Sequence, residues 1–146
     1  VSKMLSCGIN VCLGTDSAAS NNTLNMFREM GIFSMIHKGV ESDPMAMCAY
    51  EVLDCVSENS ARALGLEGKI GTIREGAYAD LIFLDLNKPS LFPNNDIASS
   101  LCYSANGSEV GSVMINGEFV IKNGALISID QERIYYEINR MLKKYF

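Results

Sequence analysis

The sequence predicts an α/β fold, in which one buried strand and several helices come before a set of short strands. Two observations indicate this class. Residues 9–13 are apolar except for Asn10, and a polar segment joins them to an apolar-rich segment that begins at Leu24, an order typical of strand, turn and helix. From Gly68 onward, glycines divide the chain into short apolar pieces that are typical of strands. With 146 residues, 48% of them apolar, the chain is long enough to bury one core.

The first predicted helix covers residues 24–37, where apolar side chains recur every three or four positions. Candidate caps lie just before it, at residues 21–23, and Gly39 is expected to end it. Methionine at helical spacing is most often buried. Three methionines are therefore assigned to the core: Met26, Met30 and Met35.

Two further helices are predicted. Ser42-Asp43-Pro44 combines an N-cap with a proline in the first turn, and helical apolar spacing continues to residue 56. A shorter helix is predicted over residues 58–64, with Gly65 closing it in a left-handed conformation. Arg62 is expected to form a structural ion pair there.

The second half of the chain begins with a predicted strand over residues 79–85. Its four apolar residues lie between aspartates, so we expect it to be buried on both faces. Asp80 is interpreted as a turn former at the start of this strand. Residues 86–109 form a long irregular loop, with a helical turn or two predicted over residues 96–103.

A hairpin and a helix complete the predicted elements. Asn116-Gly117 lies between two apolar runs and predicts a β-hairpin with a type I′ turn. Asn123-Gly124 predicts a second turn. Asp130 is expected to cap an amphipathic C-terminal helix that packs on its own protein.

The charge and the cysteines exclude some classes of function. A net charge of -5 with scattered Lys and Arg argues against nucleic-acid binding. The sequence contains no apolar run long enough to predict a membrane-spanning segment. The 5 cysteines form no Cys-x-x-Cys pair, so we expect reduced core residues of a cytoplasmic protein.

Asp16 is the main candidate for a functional residue. It lies directly after the predicted strand over residues 9–13, and residues at this place in a parallel α/β protein face the ligand site. An aspartate just before a helix is most often only a cap or a turn former. The residues around Asp16 decide between these interpretations.

These residues resemble a known family. Leu13-Gly-Thr-Asp-Ser-Ala-Ala-Ser-Asn-Asn22, followed by Met26-Phe-Arg-Glu-Met30, is similar to the last barrel strand and following helix of the metal-dependent amidohydrolases. The branch it most resembles contains the 5-methylthioadenosine/S-adenosylhomocysteine deaminases and related chlorohydrolases. Residues 68–81 are similar to the passage from the barrel into an accessory β-domain of this family.

The resemblance implies a C-terminal fragment of a (β/α)₈ TIM-barrel amidohydrolase with part of its accessory β-sandwich domain. Residues 1–66 would be the last strand and helices of the barrel. Residues 67–128, with the loop 86–109, would belong to the accessory β-domain, and residues 129–146 would form a C-terminal helix.

The resemblance also implies an activity for the full-length protein. Metal-activated water would deaminate a purine-like, adenosine-like or triazine-like ring, which is hydrolysis of a non-peptide C–N bond. The cofactor would be one divalent metal, Zn or Fe, with Asp16 as ligand and catalytic proton acceptor. Ser17 and Asn21 would position Asp16 or the small-molecule substrate. Ser100 stands where the family often has a histidine, which puts one substrate contact in doubt.

The family's other ligands are histidines on strands that would precede Val1, whereas this sequence has a single histidine, His37. The isolated chain is therefore expected to be inactive and to bind no metal. A severed barrel would expose apolar surface and favour a homo-oligomer. The alternative is a non-catalytic assembly or binding module with a self-contained core, which predicts a stable monomer.

Overall fold

The computed structural model of the protein describes residues 1–145, which form a helical part, a small antiparallel sheet and a final helix. This confirms the α/β class. The end of the predicted segment 129–146, residue 146, lies outside the described residues. Within residues 1–145 no helix is both long enough and apolar enough to span a bilayer. The elements are α1 (Ser2–Ser6), α2 (Met26–Glu41), α3 (Ala49–Val56), α4 (Glu58–Ala63), β1 (Leu81–Leu84), α5 (Ile97–Ser99) continued by a π-helical turn (Ser100–Ser104), β2 (Val110–Ile115), β3 (Glu118–Lys122), β4 (Ala125–Leu126) and α6 (Gln131–Tyr145).

Residues 9–13 do not form a strand with any segment of residues 1–145 and do not belong to the sheet, so pairing of the predicted strand is not observed within this chain. They lie along α3 and α4 instead. The Leu13 amide donates to the Cys55 carbonyl (3.1 Å), and Asn59 Nδ2 donates to the Val11 carbonyl (3.1 Å). A strand needs backbone partners along its edge, and no other segment of residues 1–145 pairs with this one.

Helix α2 begins and ends later than predicted. Asn25 caps it, because its side chain accepts a hydrogen bond from the Arg28 amide (3.2 Å). The helix passes through Gly39 and ends at Ser42, which adopts a left-handed conformation with φ 51°. The prediction that residues 21–23 cap this helix is wrong, because the Asn21 side chain is hydrogen-bonded within the preceding turn.

One face of α2 is apolar and exposed. Met30 is buried and Met26 is half-buried, as predicted, but Met35 is 61% exposed, so its assignment to the core is wrong. Apolar residues surround most of this helix, and periodicity alone could not identify the buried face. The exposed apolar face consists of Ile32, Met35, Ile36 and Val40.

Helix α3 begins at Ala49, so the helix predicted from Ser42-Asp43-Pro44 is wrong over its first turns. Asp43 Oδ1 accepts from the Met45 amide (2.8 Å), which makes a turn rather than a cap. Met47 then adopts a positive φ of 46°, which no helix tolerates. The true start is set by Glu51, whose carboxylate accepts from the Cys48 amide (2.8 Å). Helix α4 and the left-handed Gly65 (φ 70°) match their prediction.

The core lies between α2, α3 and the helical segment 97–104. Ser34 on α2 donates its hydroxyl to the Met47 carbonyl (2.6 Å), which joins the helix to the turn before α3. Cys55 and Cys102 are buried as predicted. Cys7 and Cys12 are exposed, so a core role is wrong for them. The buried side chains of this cluster are Met30, Met47, Ala49, Val52, Cys55, Ala98 and Cys102.

The sheet is antiparallel in the order β1-β2-β3-β4. Asn116 (φ 48°) and Gly117 (φ 84°) form the predicted hairpin turn. Asp80 does not form the turn predicted at the start of β1; its Oδ1 instead accepts from the Asn116 amide (2.7 Å) of this hairpin. Strand β1 is an edge strand. Ile82 (54%) and Phe83 (44%) are exposed, so burial on both faces is wrong for this chain.

Helix α6 has its predicted cap, because Asp130 Oδ1 accepts from the Arg133 amide (2.9 Å). Its predicted packing on the rest of the chain is wrong, since none of its described residues is buried. Ile138 (43%) and Leu142 (49%) on its apolar stripe stay in contact with solvent. The amphipathic pattern correctly predicted a helix but not a partner for it.

Glu109 is a fully buried charge at the end of the loop that precedes β2. Its carboxylate accepts from the Ser90 hydroxyl and from the amides of Asn106 (3.1 Å) and Gly107 (2.8 Å). Burial acts to raise the pKa of Glu109, but these hydrogen bonds outweigh it and hold the pKa below its ordinary value of 4.5. The loop is thereby folded around one carboxylate.

We expect Glu109→Gln to lower the free energy of unfolding at pH 7 by about 1–3 kcal/mol, because a buried acceptor network loses its charge. The native carboxylate stabilises the fold fully above its ordinary pKa, and this contribution is lost as the pH falls through the lower folded-state pKa. Urea unfolding at pH 7 and at pH 4 measures both effects. Glu118→Gln, at an exposed position, is the control, and equal losses in the two variants would contradict this account.

Gly71 lies where the glycine-rich segment approaches the junction of α3 and α4. Its φ is +72°, and a Cβ atom would lie 2.6 Å from the Ser57 carbonyl oxygen. Gly76 has a similar φ of +83°, but a Cβ atom there would meet nothing within 4 Å. Substituting each glycine by alanine therefore distinguishes the cost of backbone strain, which both share, from the cost of a steric clash, which only Gly71 would have.

We expect Gly76→Ala to destabilise the protein by about 1–2 kcal/mol, the strain of a left-handed residue with a Cβ atom. Gly71→Ala should destabilise it by at least about 2 kcal/mol more, since the Ser57 backbone must also move. Chemical denaturation of both variants measures the difference. Equal losses would show that the approach to Ser57 is unimportant.

Candidate active site at the Asp16 turn

Asp16 lies in the turn that joins residues 9–13 to α2. Its backbone is left-handed, with φ 59°, and its side chain is exposed. The carboxylate Oδ1 accepts from the Ser17 amide (2.7 Å). Aspartate tolerates this conformation because its short polar side chain can bond to nearby backbone. The predicted site residue is thus accessible to a ligand and locally constrained.

Two neighbours stabilise the charged form of Asp16. The Ser20 hydroxyl and the Ser17 amide hold the pKa of the Asp16 carboxyl below its ordinary value. A carboxylate that is ionised at neutral pH can bind a cation or accept a proton. The exposed carboxylate is therefore available to bind a cation.

Ser17 and Asn21, the other predicted site residues, lie in the same turn. The Ser17 carbonyl accepts from the amides of Ser20 (3.1 Å) and Asn21 (3.0 Å), which closes the turn. Asn21 Nδ2 donates to the Thr15 carbonyl (2.8 Å) and to Glu29 Oε1 (2.9 Å). Sequence analysis missed Glu29, because only the fold brings the first turn of α2 against Asn21.

A second set of contacts fixes the segment that leads to this turn. Asn10 Nδ2 donates to the Asn59 carbonyl (2.9 Å), and Arg62 Nη1 donates to Asn10 Oδ1 (3.3 Å). Arg62 also forms the predicted ion pair, with Glu67 (3.2 Å). Helix α4 thus holds residues 9–13 through Asn59 and Arg62, whose contacts with Asn10 the sequence analysis did not predict.

The other candidate residues lie apart from the turn in sequence. His37 Nδ1 is 2.8 Å from the Phe33 carbonyl of the preceding helical turn, and its ring packs on the Phe33 ring. Ser100 belongs to the helical segment 97–104. Within residues 1–145 no group of three His, Cys, Asp or Glu side chains is placed to hold a metal ion. Asp16 alone does not make the three or four protein ligands of a zinc site.

An apolar groove of about 850 Å³ lies between the helices and the sheet. Its wall includes Leu13, which immediately precedes the Asp16 turn, and reaches Val113 on β2. A groove of this size and character exposes side chains that are usually buried. Its lining includes Leu13, Leu24, Leu53, Leu64, Leu101 and Val113.

Comparison with known sequences agrees with the resemblance found at Asp16. Residues 1–120 match the model of the Amidohydrolase family. The 5-methylthioadenosine/S-adenosylhomocysteine deaminase of Caldanaerobacter subterraneus is 46% identical over 140 residues, which are 96% of this chain and 32% of the relative. The 5'-deoxyadenosine deaminase of Methanocaldococcus jannaschii is 40% identical over 97% of the chain and 33% of the relative. The chain thus spans about a third of the length of these curated relatives.

Solved structures show the same relationship. The zinc-bound adenosine deaminase from Xanthomonas campestris superposes with a TM-score of 0.92 at 31% identity, covering 98% of this chain and 33% of that one. The zinc-bound atrazine chlorohydrolase from Arthrobacter aurescens gives a TM-score of 0.79 at 25% identity, over 95% of this chain and 31% of that one. These matches confirm the resemblance to the deaminase and chlorohydrolase branch. The chain belongs to the amidohydrolase family of enzymes.

Proposed function

We propose that residues 1–146 form the part of a metal-dependent deaminase that contributes the catalytic aspartate. The whole protein would hydrolyse the exocyclic C–N bond of an adenosine-like ring, with a triazine-like ring as the second candidate. The observation that carries this proposal is Asp16: exposed, ionised and constrained in a turn, within a chain 46% identical to a deaminase.

Asp16 would act as one metal ligand and as the acceptor of the proton that the attacking water loses. A divalent metal, Zn or Fe, lowers the pKa of its bound water to about 7. The hydroxyl oxygen would join the ring carbon, the C–N bond would break, and the proton held by Asp16 would pass to the departing nitrogen, which leaves as ammonia. Ser20 and Ser17 hold the pKa of Asp16 below its ordinary value, and the Asn21 side-chain amide donates to the Thr15 carbonyl of the preceding peptide.

Residues 1–146 contain one histidine, so the remaining metal ligands would come from outside these residues. In this proposal residues 1–66 complete a TIM barrel, residues 67–128 belong to an accessory β-domain and residues 129–146 form the last helix. The chain alone would be inactive and metal-free. Its 5 cysteines are free within the described residues, which supports a reducing, cytoplasmic location.

The alternative is a non-catalytic binding or assembly module with a closed core. The apolar groove beside Leu13 and the exposed apolar residues of α2 and α6 favour the deaminase proposal, because a self-contained module buries such faces. The two proposals differ in activity and in self-association, and each difference is measurable.

Activity is tested in a hybrid enzyme, in which residues 1–146 replace the matching third of the Caldanaerobacter subterraneus deaminase. We expect the hybrid to bind zinc and to release ammonia from 5-methylthioadenosine, whereas the 146-residue chain alone does neither. Asp16→Asn should lower turnover by about 10²–10⁴-fold, because an amide neither accepts the proton nor carries the charge.

Asp43→Asn is the matched control, because Asp43 forms a similar turn with a backbone amide (2.8 Å) but lies at the end of α2. It should leave turnover unchanged. Full activity of the Asp16→Asn hybrid would refute the proposed function. Release of ammonia from an amino-substituted triazine, and not from the nucleoside, would select the triazine candidate.

Self-association is tested on the isolated chain by sedimentation velocity. We expect homo-oligomers, because the exposed faces of α2 and α6 are apolar. Replacing Ile138 and Leu142 together by glutamate should weaken association by at least about tenfold, since two buried aliphatic side chains are lost. Arg133→Glu changes the net charge equally on the same helix and should have little effect. A monomer at all concentrations would support the binding-module alternative.

A further inference from the structure

We propose that Glu29 is a positioning residue for Asp16, which it controls through the side-chain amide of Asn21. This inference rests on the proposed function, since it assigns Glu29 a part in the same site. Glu29 itself is half-buried on the first turns of α2. It would touch neither substrate nor metal, and would act only by fixing the turn.

The Asn21 amide group is held from three directions. Its Nδ2 donates one hydrogen to the Thr15 carbonyl (2.8 Å) and the other to Glu29 Oε1 (2.9 Å). Its Oδ1 accepts from the Thr23 amide (3.1 Å). Two acceptors on the nitrogen and one donor on the oxygen define which way the amide points. Removing the carboxylate would free one N–H and let the amide rotate.

The Thr15 carbonyl is the atom through which this clamp reaches Asp16. That carbonyl belongs to the peptide group whose nitrogen is the Asp16 amide, so holding its oxygen fixes the plane from which the φ of Asp16 is measured. Asp16 adopts φ 59°, a conformation that strains an L-residue by about 1–2 kcal/mol. Such a conformation persists only where its surroundings hold it. The Glu29–Asn21–Thr15 contacts supply that constraint.

Glu29 is well placed to serve as the fixed end of the clamp. Its amide donates to the Asn25 carbonyl (3.2 Å) within α2. Asn25 in turn donates through Nδ2 to the Asn106 carbonyl (2.8 Å), beside the buried Glu109. The helix start is thus fixed to the rest of the fold, and a hydrogen bond to an ionised carboxylate is about twice as strong as one between neutral groups.

The test uses zinc affinity and steady-state kinetics of the hybrid enzyme. Glu29→Ala should weaken zinc binding, measured by chelator competition, and lower kcat, each by about 10–100-fold, while KM changes less than about threefold. Glu29→Gln keeps an acceptor oxygen and should retain most of both. Glu29→Asp keeps the charge but withdraws the carboxylate by one carbon, so it should lose activity as Glu29→Ala does.

Two controls separate positioning from folding. Glu41→Gln removes a carboxylate from the other end of α2, where it accepts from the Ser2 hydroxyl (2.7 Å), and should change neither quantity. Asn21→Ala combined with Glu29→Ala should be no worse than Asn21→Ala alone, because both act through one contact. If Glu29→Ala does not fold, Glu29→Asp and Glu29→Gln still decide the question.

The outcomes distinguish this inference from the proposed function. Inactive Asp16→Asn together with fully active Glu29→Ala and Glu29→Asp hybrids would overturn the role of Glu29 and leave the deaminase proposal intact. Active Asp16→Asn would overturn both. Additive losses in the double variant would also refute a shared path through Asn21.

Discussion

Two hydrogen bonds join α3 and α4 to residues 9–13, the segment that leads into the Asp16 turn. The Cys55 carbonyl accepts from Leu13, and Asn59 donates to the Val11 carbonyl, so α3 and α4 take the place that a neighbouring strand has in a sheet. Each such bond contributes about 0.5–1.5 kcal/mol net. Their larger effect is geometric, because they align the chain that enters the Asp16 turn.

The turn itself was predictable from the sequence, whereas its supports were not. Asp16, Ser17 and Asn21 are close in sequence, and local backbone rules bring them together without help from the fold. Glu29 and Asn59 lie on helices and contact residues outside those helices, and a helical pattern does not reveal which polar side chain makes such a contact. The sequence therefore predicted the candidate site by its central residue and not by the residues that contact it across the fold.

The same distinction between local and long-range interactions explains which secondary-structure predictions agree with the structure. Asn116-Gly117 encodes its hairpin in two residues, because both positive φ values are local requirements. Pro44 was misleading for the opposite reason, since a proline is compatible with a first helical turn and with an ordinary turn alike. Burial of β1 and α6 depends on elements packed against them, and periodicity describes only one side of such a contact.

The left-handed backbone at residue 16 has a consequence for which acid can occupy it. Glutamate offers the same carboxylate and the same charge, but its longer side chain cannot fold back onto the next amide as Asp16 does at 2.7 Å, and it rarely adopts φ near 59°. The backbone conformation thus favours aspartate over glutamate, independently of how either carboxylate would bind a ligand. An aspartate at this position would be selected even if both carboxylates bound a cation equally well.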